Sequence, residues 1–159
     1  MSGPADPAVL INPARSALTG PHARFAQGRG RVLRYPDDVC PFVALPDDPG
    51  PADWADAAVL FGSGKRFLYT AGASVLPPAH WTMPMDLPGV QMVATAALTD
   101  ILDADADAVP LTAADVAEMT DLVVRTRPGP FRPRTIEMGT YLGIRRAGVL
   151  VAKAGERKH

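Results

Sequence analysis

Residues 125–159, RTRPGPFRPRTIEMGTYLGIRRAGVLVAKAGERKH, decide the fold because they contain the clearest pair of strands in the chain. Two apolar runs, 140–146 and 149–155, are separated only by Ala147 and Gly148. A glycine in so short a connection predicts a tight β-hairpin. The prolines at 128–130 predict a helix end just before the hairpin, and residues 131–139 are predicted as a loop with one helical turn.

A helix is predicted immediately upstream of this segment. Thr112 precedes it and Asp115 follows three residues later, which is the spacing of a capping box with Asp in place of Glu. The apolar residues that follow recur at helical spacing, so one face of the helix is expected to be buried: Val116, Met119, Leu122 and Val123. Together with a brief strand at 109–111, these elements give the C-terminal third the predicted order strand, helix, short helix, strand, strand.

The N-terminal two thirds are punctuated by many of the chain's 17 prolines, so short elements are expected. A helix is predicted over 13–26, with Asn12 as N-cap and a break at Gly20-Pro21. A second helix, over 51–61, is predicted to turn Trp54, Ala58 and Phe61 inward. The predicted strands are 31–35, 39–45, 65–72, 80–85 and 90–98, followed by a linker over 99–108.

Composition excludes several functional classes. The 159-residue chain has a net charge of −1, so no overall field is expected to attract nucleic acid or an anionic membrane. Its one cysteine, Cys40, excludes an internal disulfide. No apolar run reaches the roughly 20 residues of a membrane span, and no signal peptide is recognised. A cytoplasmic protein without a membrane or nucleic-acid partner is therefore expected.

Two short motifs resemble ligand-binding sequences but lack residues that those sites require. The GSGKR run at 62–66 lacks the first glycine and the Ser or Thr of a phosphate-binding loop, so a helix end is expected there. The alternating Asp103, Asp105 and Asp107 resemble the start of a calcium loop. The glycine and the glutamate that complete such a loop are replaced by Ala108 and Ala114, so a solvated linker is favoured and no metal site is expected.

Single reactive side chains give no catalytic arrangement. Cys40 lies in an apolar run, where a thiol behaves as a small hydrophobe, although a pairing with His22 or His80 was considered. Glu137 and Glu156 are lone carboxylates that stay open as general bases. A basic cluster is followed directly by two aspartates, which favours a mixed surface: Arg24, Arg29, Arg31 and Arg34. No catalytic residue is assigned.

The segment 125–159 resembles the GNAT superfamily of acyl-CoA-dependent N-acetyltransferases, in particular bacterial members with a GNAT-like region before the catalytic domain. Residues 16–36 and 44–60 are similar to the same group. Two positions depart from the pattern, Lys153 where Met is usual and Lys158 where a hydrophobic residue is usual. The matching positions in the C-terminal segment are Arg125, Arg127–Phe131, Arg134, Thr135, Glu137, Gly139, Tyr141, Gly143–Arg146, Gly148, Leu150–Ala152, Ala154–Arg157 and His159.

The resemblance implies an α+β fold, a GNAT-like mixed sheet flanked by helices, whose second GNAT domain is incomplete and holds strands one to three only. It divides the chain into a GNAT-like N-terminal region at 1–98, a linker at 99–108, and the first part of an acetyltransferase domain at 109–159. Acetyl-CoA is the cofactor expected for the family. The family's Arg/Gln-x-x-Gly-x-Gly/Ala loop fails at Val32 and at Leu150, so the chain is expected to stop before that loop, to hold no cofactor-binding residue, and to be inactive alone.

The resemblance also implies where an amine acceptor, itself unidentified, would bind. The loop 127–139 and the following strand are expected to border the acceptor pocket, with four substrate-binding residues: Phe131, Arg134, Glu137 and Tyr141. Contact of Glu137 or Tyr141 with the amine is a hypothesis. The alternative is a non-catalytic binding or assembly module that forms a homodimer through the open edge of strand 149–155, an edge that Lys153 and Lys158 would partly protect.

Overall fold

The computed structural model describes residues 7–70, 75–91 and 107–155. Within these ranges the helices are α1 (Pro7–Ile11), α2 (Pro13–Thr19), α3 (Pro51–Phe61) and α4 (Val116–Thr126). The strands are β1 (Gln27–Arg29), β2 (Val32–Arg34), β3 (Phe42–Ala44), β4 (Leu68–Tyr69), β5 (Ala108–Pro110), β6 (Tyr141–Arg146) and β7 (Val149–Gly155). Short 3₁₀ turns lie at Ala23–Phe25, Ala113–Asp115 and Thr135–Met138.

The N-terminal sheet has the strand order β1-β2-β3-β4 and is covered by a helix on each face. Its first three strands are antiparallel, whereas β3 and β4 are parallel. Alternate residues of a strand face opposite sides. Val43 accordingly packs in one buried cluster with Trp54 of α3, and Ala44 packs in another with Leu18 of α2.

The C-terminal sheet is an antiparallel meander of β5, β6 and β7. Helix α4 covers one face, and its Met119 and Leu122 pack against Tyr141 and Leu150 of the sheet. The β6–β7 turn places both central residues in the left-handed region, Ala147 with φ of 50° and Gly148 with φ of 81°. Such a turn matches the twist of the flanking strands. The predicted hairpin is therefore confirmed.

A 3₁₀ turn at Thr135–Met138, here called the docking turn, joins the two sheets. Met138 is 1% exposed and belongs to the same buried cluster as Leu18. The Thr135 hydroxyl donates a hydrogen bond to the Val39 carbonyl at 2.7 Å, and the Arg134 backbone N–H donates to the Asp38 carbonyl at 2.9 Å. The C-terminal hairpin is thus anchored to the N-terminal sheet by the loop that precedes it.

The helix predictions agree with the structure, with one correction. The Asn12 side chain accepts a hydrogen bond from the Arg15 N–H, and α2 ends before Gly20 as expected. Helix α3 has the predicted bounds, but the expectation that Ala58 faces inward is wrong, since Ala57 is buried and Ala58 is exposed. Asp53 is also buried, and it lies on the same side of Trp54 around the helix as Ala57 does, so the buried face extends toward Ala57 and away from Ala58.

The strand predictions are less accurate. Strand β1 was not predicted, because all three of its residues are exposed and carry no apolar alternation. Of the strand expected over 65–72, the described residues 65–70 contain only the two-residue strand β4. Residues 80–85 form no strand, consistent with Pro84, which cannot donate to a ladder. Most of the run 90–98, and of the predicted linker 99–108, lies outside the described residues, and the division into domains stays a prediction.

The observed architecture confirms the expected fold class, an α+β arrangement with mixed sheets flanked by helices. In the part of the chain that the structure describes, no helix combines the length and the apolar character needed to cross a bilayer.

Candidate functional site

A cleft of about 390 Å³ lies between the C-terminal end of α4 and strand β7. It is called the α4–β7 cleft below. Arg127 ends α4 in the left-handed conformation, with φ of 49°, and turns the chain away from the helix axis. The cleft is therefore bounded by the end of a helix on one side and by an edge strand on the other. Its lining residues are Leu122, Val123, Thr126, Pro128, Gly129, Tyr141 and 151–155.

Two aromatic rings form a corner beside this cleft. The ring centres of Phe131 and Tyr141 are 6.0 Å apart and their planes are 79° apart. The ammonium nitrogen of Lys153 lies 4.0 Å from the Phe131 ring centre and 5.5 Å from the Tyr141 ring centre. Ring faces carry negative electrostatic potential and attract cations at such distances. The corner thus already holds an alkylammonium group that belongs to the chain itself.

Gly155 makes room for the Tyr141 ring. The two residues are directly paired across β6 and β7. A Cβ atom at position 155 would collide with the Tyr141 ring. The absence of a side chain at Gly155 therefore lets the ring lie flat over β7, where it is 3% exposed and forms one wall of the cleft.

Glu137 lies on the docking turn and Arg134 directly precedes it, and neither residue lines the cleft. Arg134 donates from Nε and Nη2 to the two carboxylate oxygens of Glu137, at 2.7 and 2.8 Å, and its Nη1 lies 3.3 Å from Asp38 Oδ2. These hydrogen bonds from Arg134 lower the pKa of Glu137, and the same pairing raises the pKa of Arg134. A carboxylate held in this way is a weaker proton acceptor, so the geometry favours anchoring of the turn.

Of the four predicted residues, Tyr141 lines the cleft, and Phe131 contacts Tyr141 from outside the lining. Arg134 and Glu137 are paired with each other instead. The roles of all four in substrate binding stay predictions. The sequence predicted for Lys153 only the protection of the strand edge. Its departure from the methionine usual in the resembling proteins is the signal that could have indicated a place at the cleft.

The reactive side chains considered from sequence take structural positions. Cys40 is 3% exposed and packs in the N-terminal core. His22 is 1% exposed, with Nδ1 2.9 Å from the Tyr35 hydroxyl and Nε2 2.6 Å from the Met138 carbonyl. Burial raises the pKa of the Tyr35 hydroxyl. The imidazole therefore links the Tyr35 hydroxyl to the backbone of the docking turn.

The basic cluster forms a mixed surface, as predicted. Its ion pairs are Arg29 with Asp56 at 2.8 Å, Arg31 with Asp53 at 2.7 Å, and Arg34 with Asp37. Arg24 donates to the Glu137 carbonyl at 2.7 Å.

The described residues do not fit the diphosphate of acetyl-CoA in the way that the resemblance requires. Such a loop presents free backbone N–H groups at a helix N-terminus. At α3 the Gly50 N–H donates to the Asp53 carboxylate at 2.8 Å, and ahead of α4 the Thr112 N–H donates to the Asp115 carboxylate at 2.8 Å. Each of these two 11-residue helices therefore already carries an anionic group at its N-terminal end.

Across residues 7–70, 75–91 and 107–155, no three His, Cys, Asp or Glu side chains are grouped as metal ligands. Asp103, Asp105, Glu156 and Lys158, which entered the sequence predictions, lie outside those ranges.

Comparison with known proteins gives a likeness to a solved structure. No protein-family model and no curated protein matches the chain. A solved structure from Novosphingobium aromaticivorans DSM 12444, described as a proposed acetyltransferase of the GNAT family, is similar with a TM-score of 0.69 and 26% sequence identity. The match covers 94% of this chain and 65% of that chain. The chain therefore has the fold of a GNAT acetyltransferase over nearly its whole length, and it spans less than two thirds of the solved protein.

Proposed function

We propose that this chain forms the acceptor side of a GNAT-type N-acetyltransferase, in which the α4–β7 cleft receives a primary amine. The observation that carries the proposal is the fold match to a GNAT-family structure over 94% of the chain. The reaction would move an acetyl group from acetyl-CoA to the amine. Because carboxylates already occupy the N-terminal ends of α3 and α4, the proposal does not place the diphosphate of acetyl-CoA at either helix. The isolated 159-residue chain is expected to be inactive.

The aromatic corner supports an amine as the acceptor. Phe131 and Tyr141 present their ring faces to the ammonium of Lys153, which shows that the corner suits a cation on an alkyl chain. A substrate ammonium entering the cleft would make the same contact if Lys153 moved away. Tyr141 lines the cleft, so the hypothesis that it contacts the amine is favoured over direct contact by Glu137, which is engaged by Arg134.

The proposal assigns Arg134 and Glu137 an indirect part in acceptor binding. Their ion pair stabilises the docking turn, which is followed after Gly139 and Thr140 by Tyr141 at the start of β6. Loss of the pair is expected to shift the turn and with it the ring. A cytoplasmic location is also part of the proposal.

A binding assay on the 159-residue chain tests the acceptor role. Binding of a panel of primary amines is followed by calorimetry. Phe131→Leu is expected to raise the Kd for the amine several-fold, because only the ring face is lost. Phe131→Tyr keeps a ring face and is expected to restore the Kd. The absence of saturable binding with every amine, or an unchanged Kd in Phe131→Leu, contradicts the proposal.

A non-catalytic assembly module is the second candidate, and the position of β7 favours it. Strand β7 ends the strand order β5-β6-β7, and its Val149 and Val151 are 51% and 46% exposed. An edge of this kind can pair with another strand, so the expected assembly is a homodimer through residues 149–155. Light scattering on the wild type and on Val151→Lys tests it: a dimer that the lysine dissociates supports the module, and a monomer at all concentrations contradicts it.

A further inference from the structure

A second cleft, of about 260 Å³, lies between the end of α3 and the loop before the docking turn. It is called the basic cleft below. Its floor includes Phe61, which stacks on Phe67 with ring centres 4.4 Å apart. Its lining residues are Asp37, Pro41, Phe61, Lys65, Arg66 and Arg132.

The charges around the basic cleft are unbalanced. Three of its lining side chains are cationic and one is a carboxylate. That carboxylate, Asp37, already pairs with Arg34 and lies 3.5 Å from the Lys65 ammonium. Within the described part of the chain, Arg66 and Arg132 have no ion-pair partner. Two guanidinium groups without a counter-charge therefore border one small cavity.

The GSGKR run that sequence analysis set aside as a helix end supplies part of this cleft. Gly62 and Gly64 both have positive φ, 76° and 77°. This turn reverses the chain after α3 and brings Lys65 and Arg66 back beside Phe61, the last residue of the helix. Nothing lies within 4 Å of a Cβ built at either glycine, so the loop borders open space.

Arg34 offsets the partial negative charge at the C-terminal end of α3, which would otherwise repel an anion in the basic cleft. The last carbonyls of a helix carry partial negative charge. Arg34 Nη1 donates to the Leu60 carbonyl at 3.0 Å, and the same guanidinium stacks over the Phe61 ring at 4.8 Å. The helix end is thus covered by a cation before it meets the cleft.

We propose that the basic cleft binds the diphosphate group of a small phosphorylated ligand. Guanidinium groups form paired, charge-assisted hydrogen bonds with phosphate oxygens. The excess of positive charge matches a group that carries at least two negative charges. Lys65 and Arg66 follow α3, whereas Arg132 precedes the docking turn, so the ligand would bridge the two halves of the chain.

Calorimetric titration with inorganic pyrophosphate at low ionic strength tests the site. One saturable site per chain is expected. Arg66→Gln and Arg132→Gln are each expected to weaken binding about tenfold, the order of one lost charge-assisted hydrogen bond. Arg125→Gln is the matched control, since Arg125 is exposed on α4 outside the basic cleft, and it is expected to leave the affinity unchanged. Asp37→Asn is expected to strengthen binding, because it releases Lys65 from its carboxylate.

ADP and coenzyme A serve as further titrants that distinguish sources of the diphosphate. Affinity equal to that of pyrophosphate means that the diphosphate alone is recognised, and tighter binding means a nucleotide ligand; both support the site. The absence of saturable heat from wild-type protein that circular dichroism shows to be folded overturns it. A loss in Arg125→Gln as large as in Arg66→Gln also overturns it, because binding then follows net charge. This inference does not depend on the proposed acetyl transfer.

Discussion

The ammonium nitrogen of Lys153 lies 4.0 Å from the ring centre of Phe131 at the α4–β7 cleft. An edge strand normally directs a lysine to solvent, where it discourages pairing with other strands. Here the side chain is half-buried instead. A substrate amine would therefore compete with Lys153 for the contact with the Phe131 ring.

Lys153→Met is expected to increase the affinity of the cleft for a simple amine such as n-butylammonium. The methionine keeps an unbranched apolar chain but removes the internal cation. A cation–π contact contributes about 0.5–2 kcal/mol, so the affinity is expected to increase about 2- to 30-fold, measured as the Kd in an NMR titration. Lys65→Met, which removes a lysine far from Phe131 in the sequence and outside the cleft lining, serves as the control. Equal affinity in Lys153→Met and the wild type contradicts the competition.

Gly155→Ala is expected to disturb the aromatic corner by displacing the Tyr141 ring. A Cβ at position 155 collides with that ring, and overpacking of this kind costs about 1–3 kcal/mol. The free energy of unfolding should fall by that amount in urea denaturation, and the gain in amine affinity of Lys153→Met should shrink in the double variant. Gly89→Ala is the matched control, since a Cβ there meets nothing within 4 Å. A Gly155→Ala protein as stable as Gly89→Ala would show that the ring moves without cost.

Thr135→Val is expected to weaken the anchoring of the docking turn. The Thr135 hydroxyl donates to the Val39 carbonyl and accepts from the Arg132 N–H, both at 2.7 Å, and the residue is 1% exposed. Valine leaves these buried groups without their hydroxyl partner, at a cost of about 1–3 kcal/mol in the free energy of unfolding. Thr120→Val is the control, because its hydroxyl bonds a backbone carbonyl on an exposed stretch of α4. Equal losses in the two variants contradict a special role for the turn.

Asp53 is expected to make the free energy of unfolding depend on pH in the acid range. Hydrogen bonds from Arg31 hold the pKa of Asp53 below its usual range, and the Gly50 N–H adds to this effect. A carboxyl whose pKa is lower in the folded state stabilises the fold above its unfolded pKa, and this stability is lost as the pH falls through the folded value. The urea concentration at the unfolding midpoint should therefore decrease as the pH falls below about 4.

Asp53→Asn should be less stable than the wild type at neutral pH and should show a smaller drop over the acid range. The amide oxygen can still cap α3 through the Gly50 N–H, so the comparison isolates the charge. Arg31→Gln removes the main cause of the lowered pKa and should flatten the acid dependence in the same way. A drop of unchanged size in both variants would assign the acid sensitivity to other groups.

Local features of the chain were predictable because they depend on neighbours in sequence. Both bonds of the Thr112–Asp115 capping box form as expected, and the Ala147-Gly148 turn closes the hairpin. Helix α3 was bounded correctly because Pro51 and Gly62 mark its two ends. In each case the deciding residues lie within a few positions of the element that they fix.

Contacts between distant segments were not predictable. The Thr135–Val39 hydrogen bond spans 96 residues and the His22–Met138 contact spans 116. No periodicity in the sequence indicates such pairings. The sequence therefore left Glu137 open as a substrate contact or general base, whereas the structure pairs it with Arg134. The basic cleft was missed for the same reason, since Arg66 and Arg132 meet only through the tertiary fold.

The most direct test of the central claim is an NMR titration of isotope-labelled wild-type protein with n-butylammonium. The account predicts saturable shifts of the backbone amides that line the α4–β7 cleft, at Gly129, Tyr141 and Ala154 among others, together with movement of the Lys153 side-chain signals as it leaves the rings. Shifts that do not saturate, or that fall outside the cleft while Lys153 stays in place, would contradict an amine-binding role for this part of the fold.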